Sequence, residues 1–211
     1  MKYTHVIWDF NGTVLDDLDI CIESVNTLLR ARGIKELESR EEYRSVFGFP
    51  IIKYYEKIGF DFSKESFSTV AVEWVDRYMS RVTSAKTNVG VVEMLEKVME
   101  SGAKNILISA TELNMLKKQL SMLGISHLFD EVYGLDNIHA QNKIELAKEW
   151  RLANQSAKAI FVGDTDHDFE SAAAINTDCV LFVGGHQARE TLSSFGCPLI
   201  ESIAELSNIV F

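Results

Sequence analysis

From about residue 91 onward the sequence alternates helix and strand signals almost without a break, and no other feature restricts the fold as much. Apolar residues at helical spacing predict helices over 91–101, 112–123, 143–154, 168–175 and 187–195, with a last one from Ile203. Between them lie short runs rich in β-branched and aromatic residues, at 105–109, 131–133, 159–163 and 179–183, and a further short strand near Leu199. Such alternation requires parallel strands joined by crossover helices, an α/β, doubly wound, Rossmann-like sheet. One more strand opens the chain: Tyr3 to Phe10 is a buried-strand pattern that ends in the turn pair Asn11-Gly12.

The intervening stretch has a different rhythm. Leu18, Cys21, Ile22, Val25, Leu28 and Leu29 fall at helical spacing over 15–32, and Gly33 closes that helix. Ser39 with Glu42 three residues later predicts a capping box. Gly48 and Pro50 interrupt the pattern before 51–58. From Ser63 and Ser66 to about Lys86 a long amphipathic helix is expected, carrying Phe67, Val70, Trp74, Val75 and Tyr78. Asp16 and Asp17 are placed at the opening of the first of these helices, where carboxylates suit the dipole. A small all-helical domain over 16–86, inserted after the first strand into an α/β core of 1–15 and 87–211, follows from this reading.

Composition closes off several classes of function. The 211 residues are 46% apolar and 25% charged, enough for a sizeable core. The net charge of −10 argues against non-specific nucleic-acid binding, which needs clustered positive charge. An anionic substrate must then be drawn in by a local cation, a metal or a placed lysine. Cys21, Cys179 and Cys197 are an odd number without zinc spacing and read as buried, reduced thiols. No signal peptide and no run of the ~18 apolar residues that a membrane span needs is visible, so a cytoplasmic protein without a membrane partner is expected.

Ligands of open parallel sheets collect at the carboxyl ends of the strands. The first strand leads to Asp9, Asn11, Gly12 and Thr13; the strand at 105–109 leads to Ser109, Ala110 and Thr111. The strand at 159–163 leads to Asp164, Asp166 and Asp168, and Lys143 opens a neighbouring helix. Trp8, Trp74 and Trp150 are read as core residues and His167 as a solvent-facing loop histidine, while His186, after two glycines, is given no role.

These residues carry a resemblance. Asp9-Phe10-Asn11-Gly12-Thr13-Val14-Leu15-Asp16 resembles the first motif of the haloacid dehalogenase superfamily. Ser109, Lys143 and Gly163-Asp164-Thr165-Asp166-His167-Asp168 match its other three motifs in order. Val183-Gly184-Gly185 and Ile200-Glu201-Ser202 resemble phosphoglycolate-phosphatase-like members, so the similarity covers nearly the whole chain. It implies a Mg²⁺-dependent phosphatase in which Asp9 takes the phosphoryl group of a small phosphorylated metabolite. It further implies that Asp9, the Asn11 backbone carbonyl, Asp164 and Asp168 surround the metal. Gly12, Thr13, Ser109, Ala110 and Lys143 would hold the phosphate. The helical insert would be the family's small mobile cap, with Lys53 and Tyr54 as specificity residues. The protein would act as a monomer or homodimer.

One position departs from the pattern. Family phosphatases carry a second Asp two residues after the nucleophile, which protonates the leaving oxygen and then takes a proton from water; here it is Asn11. An amide donates hydrogen bonds but does not cycle protons. The departure implies an altered or slowed phosphatase, with two alternatives. One is a phosphonoacetaldehyde-hydrolase-like enzyme with Lys53 as Schiff-base lysine; the other is a catalytically weak homologue that binds phosphorylated ligands.

Overall fold

The computed structural model describes residues 2–135 and 142–211. Its strands are β1 (His5–Trp8), β2 (Leu15–Asp16), β3 (Lys86–Thr87), β4 (Lys104–Glu112), β5 (Glu131–Leu135), β6 (Ala159–Gly163), β7 (Asp178–Phe182) and β8 (Leu199–Ile200). Its helices are α1 (Leu18–Ala31), α2 (Arg40–Val46), α3 (Ile51–Lys57), α4 (Phe67–Arg81), α5 (Val91–Glu100), α6 (Leu113–Leu123), α7 (Lys143–Ala153), α8 (Asp166–Ala174), α9 (Arg189–Ser193) and α10 (Ser207–Val210). Two compact units emerge: Met1–Asp16, Lys86–Gly185 and Arg189–Phe211 form the first, and Asp17–Ala85 with His186–Ala188 the second.

The first unit is built on a six-stranded sheet of order β5-β4-β1-β6-β7-β8, and every pair in it is parallel. The chain starts in the middle of the sheet, moves outward on one side through β4 and β5, then crosses to the other side at β6. The carboxyl ends of β1, β4 and β6 are therefore neighbours at the point where strand order reverses, the place where such sheets bind ligands. Val6, Ile7 and Trp8 are fully buried, as are Ile106, Leu107, Ile108, Phe161 and Val162. Strands covered on both faces need such continuous apolar runs. Each large side chain contributes about 1.5–3 kcal/mol by leaving water. The polar exception is satisfied: buried Asn105 accepts from Trp8 Nε1 at 3.0 Å and donates to the Leu95 and Leu128 carbonyls.

The second unit is helical. Asn26 ties α1 to the segment before α2, bonding both the Leu37 carbonyl and its N–H at 2.9 Å. Arg32 pairs with Glu65 and Glu73, fastening the end of α1 to the start and body of α4. Tyr43, Phe47, Tyr54, Tyr55 and Phe60 form a chain of ring contacts with centroids 5.1–5.9 Å apart. Among the described residues no helix is long and apolar enough to cross a membrane.

Several element boundaries differ from the sequence reading. Residues Leu15 and Asp16 are not helical but pair as β2 with β3 in an antiparallel ribbon, so α1 begins at Leu18. Helix periodicity ran through them because Leu15 is buried in either conformation. The long helix expected up to Lys86 ends at Arg81, capped at its start by Ser66, whose hydroxyl accepts from Thr69 N–H. Trp74 is half-buried, stacked on Tyr78, and Val75 is exposed, so the apolar stripe of α4 is narrower than its composition suggests. The strand expected to stop at Ser109 continues as β4 to Glu112, with its register against β5 shifting between Ile108 and Glu112. Cys197 is half-buried rather than buried, and His167 is partly buried rather than solvent-facing.

Candidate active site

Asp9 immediately follows β1, and its N–H donates to the Val162 carbonyl of β6 at 2.9 Å, which extends the strand pairing by one residue and fixes the side chain at the rim. The backbone then reverses through Gly12, whose φ of 78° favours glycine. Asn88 holds the turn, donating from its amide to the Gly12 and Thr13 carbonyls at 3.0 and 2.9 Å.

Asp164 and Asp168 arrive from the end of β6 and the first turn of α8. The carboxylate oxygens of Asp9, Asp164 and Asp168 lie within 4.8 Å of one another, and all three residues are buried. Asp164 accepts from the Thr13 hydroxyl at 2.8 Å. Asp168 Oδ2 accepts from the N–H groups of Asp164 and Thr165 and from the Thr165 hydroxyl, all within 3.0 Å, as the third-residue partner in the capping box that Thr165 opens for α8. Its Oδ1 meets Lys143, and Lys143 Nζ also donates to Asp9 Oδ1. The turn at Asp164 needs a close backbone approach as well: a Cβ on Gly185 would stand 2.2 Å from Asp164 Oδ2.

Charge balance defines what this cluster can hold. Three buried carboxylates face one ammonium, leaving two negative charges over. Burial raises the Asp9 pKa above the carboxylate range; Lys143 opposes that rise, and the charges of Asp168 and Asp164 add to it. Burial opposes the charge on Lys143, but Asp168 and Asp9 outweigh it and keep the ammonium protonated. An all-oxygen donor set with a surplus of negative charge suits a hard divalent cation such as Mg²⁺. Asp9, Asp164 and Asp168 are the residues that could hold it, Asp168 also pairing with Lys143 and bonding the first turn of α8.

Replacing Lys143 by Met should leave two buried carboxylates without their ammonium. In metal-free protein it is expected to lower the unfolding free energy by about 3–5 kcal/mol. Urea denaturation checks this, and an unchanged midpoint would show that the ion pairs carry no net stability.

The remaining residues of the sequence reading are placed as follows. Ser109 is buried at the rim, its Oγ accepting from the Thr111 N–H at 3.0 Å, and Ala110 beside it is exposed. Asn11 Oδ1 accepts from the Thr111 hydroxyl at 2.9 Å, which orients the amide. Thr13 faces Asp164 through its hydroxyl. Lys53 and Tyr54 belong to the helical unit: Lys53 is exposed and paired with Glu56 at 2.7 Å, and Tyr54 is buried. Sequence reasoning gave Asn88 and Thr165 no part, although an amide or hydroxyl beside a motif loop is a usable signal for loop-fastening hydrogen bonds.

Comparisons with known proteins bear on the family and the fold. Residues 6–182 match the family model for haloacid dehalogenase-like hydrolases. A provisionally named pyrophosphatase PpaX of Caldanaerobacter subterraneus is 27% identical over 82% of this chain and 78% of its own. A phosphoglycolate phosphatase of Rhodobacter capsulatus is 22% identical over 86% and 85%. A haloacid dehalogenase-like family hydrolase from Streptococcus pneumoniae has a solved structure that superposes with a TM-score of 0.82. That superposition covers 99% of this chain and 98% of that one at 19% identity.

Proposed function

We propose that this chain, which belongs to the haloacid dehalogenase-like hydrolases, is a Mg²⁺-dependent phosphatase that cleaves a small phosphorylated metabolite through a phosphoryl group carried on Asp9. The observation that supports it best is the buried cluster of Asp9, Asp164, Asp168 and Lys143 at the reversal point of a parallel sheet. The named activities of the curated relatives, phosphoglycolate phosphatase and pyrophosphatase, point to small phosphorylated substrates.

In this mechanism a carboxylate oxygen of Asp9 attacks phosphorus as the bond to the leaving oxygen breaks. Water then attacks the phosphoryl-aspartate, freeing phosphate and restoring Asp9. Bound Mg²⁺ would offset the carboxylate charges and polarise the phosphoryl oxygens. Lys143 and the Ser109 hydroxyl steady the oxygens that gain charge. Asp168 keeps Lys143 in place through Oδ1, and Thr13 orients Asp164. With Asn11 where a proton carrier would serve, the leaving oxygen departs as an anion or takes its proton from water. Acyl phosphates and phosphoanhydrides, whose leaving groups are stable anions, are then the better substrates.

The test is phosphate release from alkyl phosphomonoesters, pyrophosphate and acyl phosphates, with and without Mg²⁺. Mg²⁺-dependent release that favours the acyl phosphates is expected; no release from any of them overturns the phosphatase and leaves phospho-ligand binding. A Schiff-base role for Lys53 finds no support, because an exposed, ion-paired ammonium lacks the desolvation that activates such lysines.

A further inference from the structure

Asp17, Cys21 and His186 make a second group of potential metal donors, wholly within the helical unit. One ligand atom from each lies within 4.8 Å of the others, and the residues are 1%, 5% and 5% exposed. Asp17 stands at the N-cap of α1 but makes no side-chain cap bond, so its carboxylate is directed elsewhere. Cys21 follows one helical turn later on the same face. His186 comes from the short segment His186–Ala188, which groups with the helices although its sequence neighbours belong to the sheet.

We propose that these three side chains bind a divalent transition-metal ion of the zinc class, through Asp17 Oδ, Cys21 Sγ and His186 Nε2. The spacing fits. His186 Nε2 is 3.2 Å from Asp17 Oδ1, and Cys21 Sγ is 3.7 Å from Asp17 Oδ2. Tetrahedral zinc, with bonds of ~2.0 Å to N and O and ~2.3 Å to S, sets N and O ligand atoms about 3.3 Å apart and sulfur about 3.5 Å from either, so each contact lies within about 0.2 Å of what the ion needs. The mixed N, S and O donors also favour this class over Mg²⁺, which takes oxygen alone.

The outer contacts are those a metal site requires. Tyr43 Oη is 3.0 Å from His186 Nδ1, and the Tyr78 hydroxyl donates to Asp17 Oδ2 at 2.8 Å. A ligating histidine uses its second ring nitrogen in such a bond, which fixes the tautomer. Binding sends the thiol proton to solvent and leaves the ring proton on Nδ1, where Tyr43 accepts it. The dication then balances a carboxylate and a thiolate, so the buried complex carries no net charge. An independent sign is Tyr54, whose buried hydroxyl has no hydrogen-bond partner among the described residues. Its ring centroid lies 5.9 Å from that of Tyr43, the partner of His186, so the phenol is a donor in this neighbourhood without an acceptor. An oxygen ligand in the fourth coordination position supplies one.

Co²⁺ titration of the reduced, full-length protein saturated with Mg²⁺ tests the assignment. One equivalent should give a sulfur-to-cobalt charge-transfer band and intense four-coordinate visible absorption, both displaced by Zn²⁺. Cys21→Ser should remove the band, and Tyr43→Phe should keep it while weakening affinity by about 10–100-fold. Asp9→Asn and the double variant Cys179→Ser/Cys197→Ser should leave it unchanged, which decides the question even if Cys21→Ser does not fold. No band in the parent protein, a band that survives Cys21→Ser, or one lost with Asp9 or with the other two cysteines overturns the site. Phosphate release plays no part in this readout, so failure here leaves the phosphatase standing, and the reverse.

Discussion

Replacing Asp9 by Asn is expected to lower phosphate release by about 10⁴-fold or more, the scale seen when a covalent nucleophile is removed. The same change should leave the fold as stable as before or more so. Burial disfavours the charged Asp9 carboxylate, and Asp164 and Asp168 add repulsion that Lys143 only partly offsets. A carboxyl whose folded-state pKa is raised destabilises the fold once pH rises above its unfolded value, and the neutral amide escapes that penalty. Lys143 keeps Asp168 as a partner in the variant. Thermal melting of metal-free protein near neutral pH should therefore show an equal or higher Tm beside the loss of turnover. Parent-like turnover would remove Asp9 from the reaction. Lost turnover with a collapsed Tm would mean that the residue is structural instead.

The sheet was legible because buried parallel strands read as short apolar runs between amphipathic helices, as with Val6 to Trp8 and Ile160 to Val162. The cluster of Asp9, Asp164, Asp168 and Lys143 was legible because each residue ends a strand or opens a helix, and parallel topology brings such ends together. What could not be read depends on contacts between distant parts of the chain. Leu15 and Asp16 are short and periodic enough to pass for helix until Lys86 and Thr87 pair with them. The bonds of Asp168 are of this kind: the Asp164 and Thr165 amides meet one of its oxygens and Lys143 the other. His186 was given no role because nothing local marks its burial, which comes from Tyr43 and Asp17 more than 140 positions away.

Replacing Asn11 by Asp should raise kcat for alkyl phosphomonoesters by about 10²–10⁴-fold, the usual worth of a general acid–base. The geometry favours the exchange. Asn11 Oδ1 already accepts from the Thr111 hydroxyl at 2.9 Å, and a carboxyl of the same shape keeps that bond while presenting a second oxygen that can carry a proton. Partial exposure at this position lets the new group exchange protons with water between steps. The gain should depend on the leaving group. An alkoxide needs the proton as its bond breaks, so alkyl esters should gain most, and acyl phosphates, whose leaving carboxylates need none, should gain little. Steady-state rates of parent and variant on one substrate of each kind separate the possibilities. Equal gains on both would place the limiting proton transfer in the later attack of water on the phosphoryl-aspartate, and no gain on either would mean that protonation at residue 11 does not limit this enzyme.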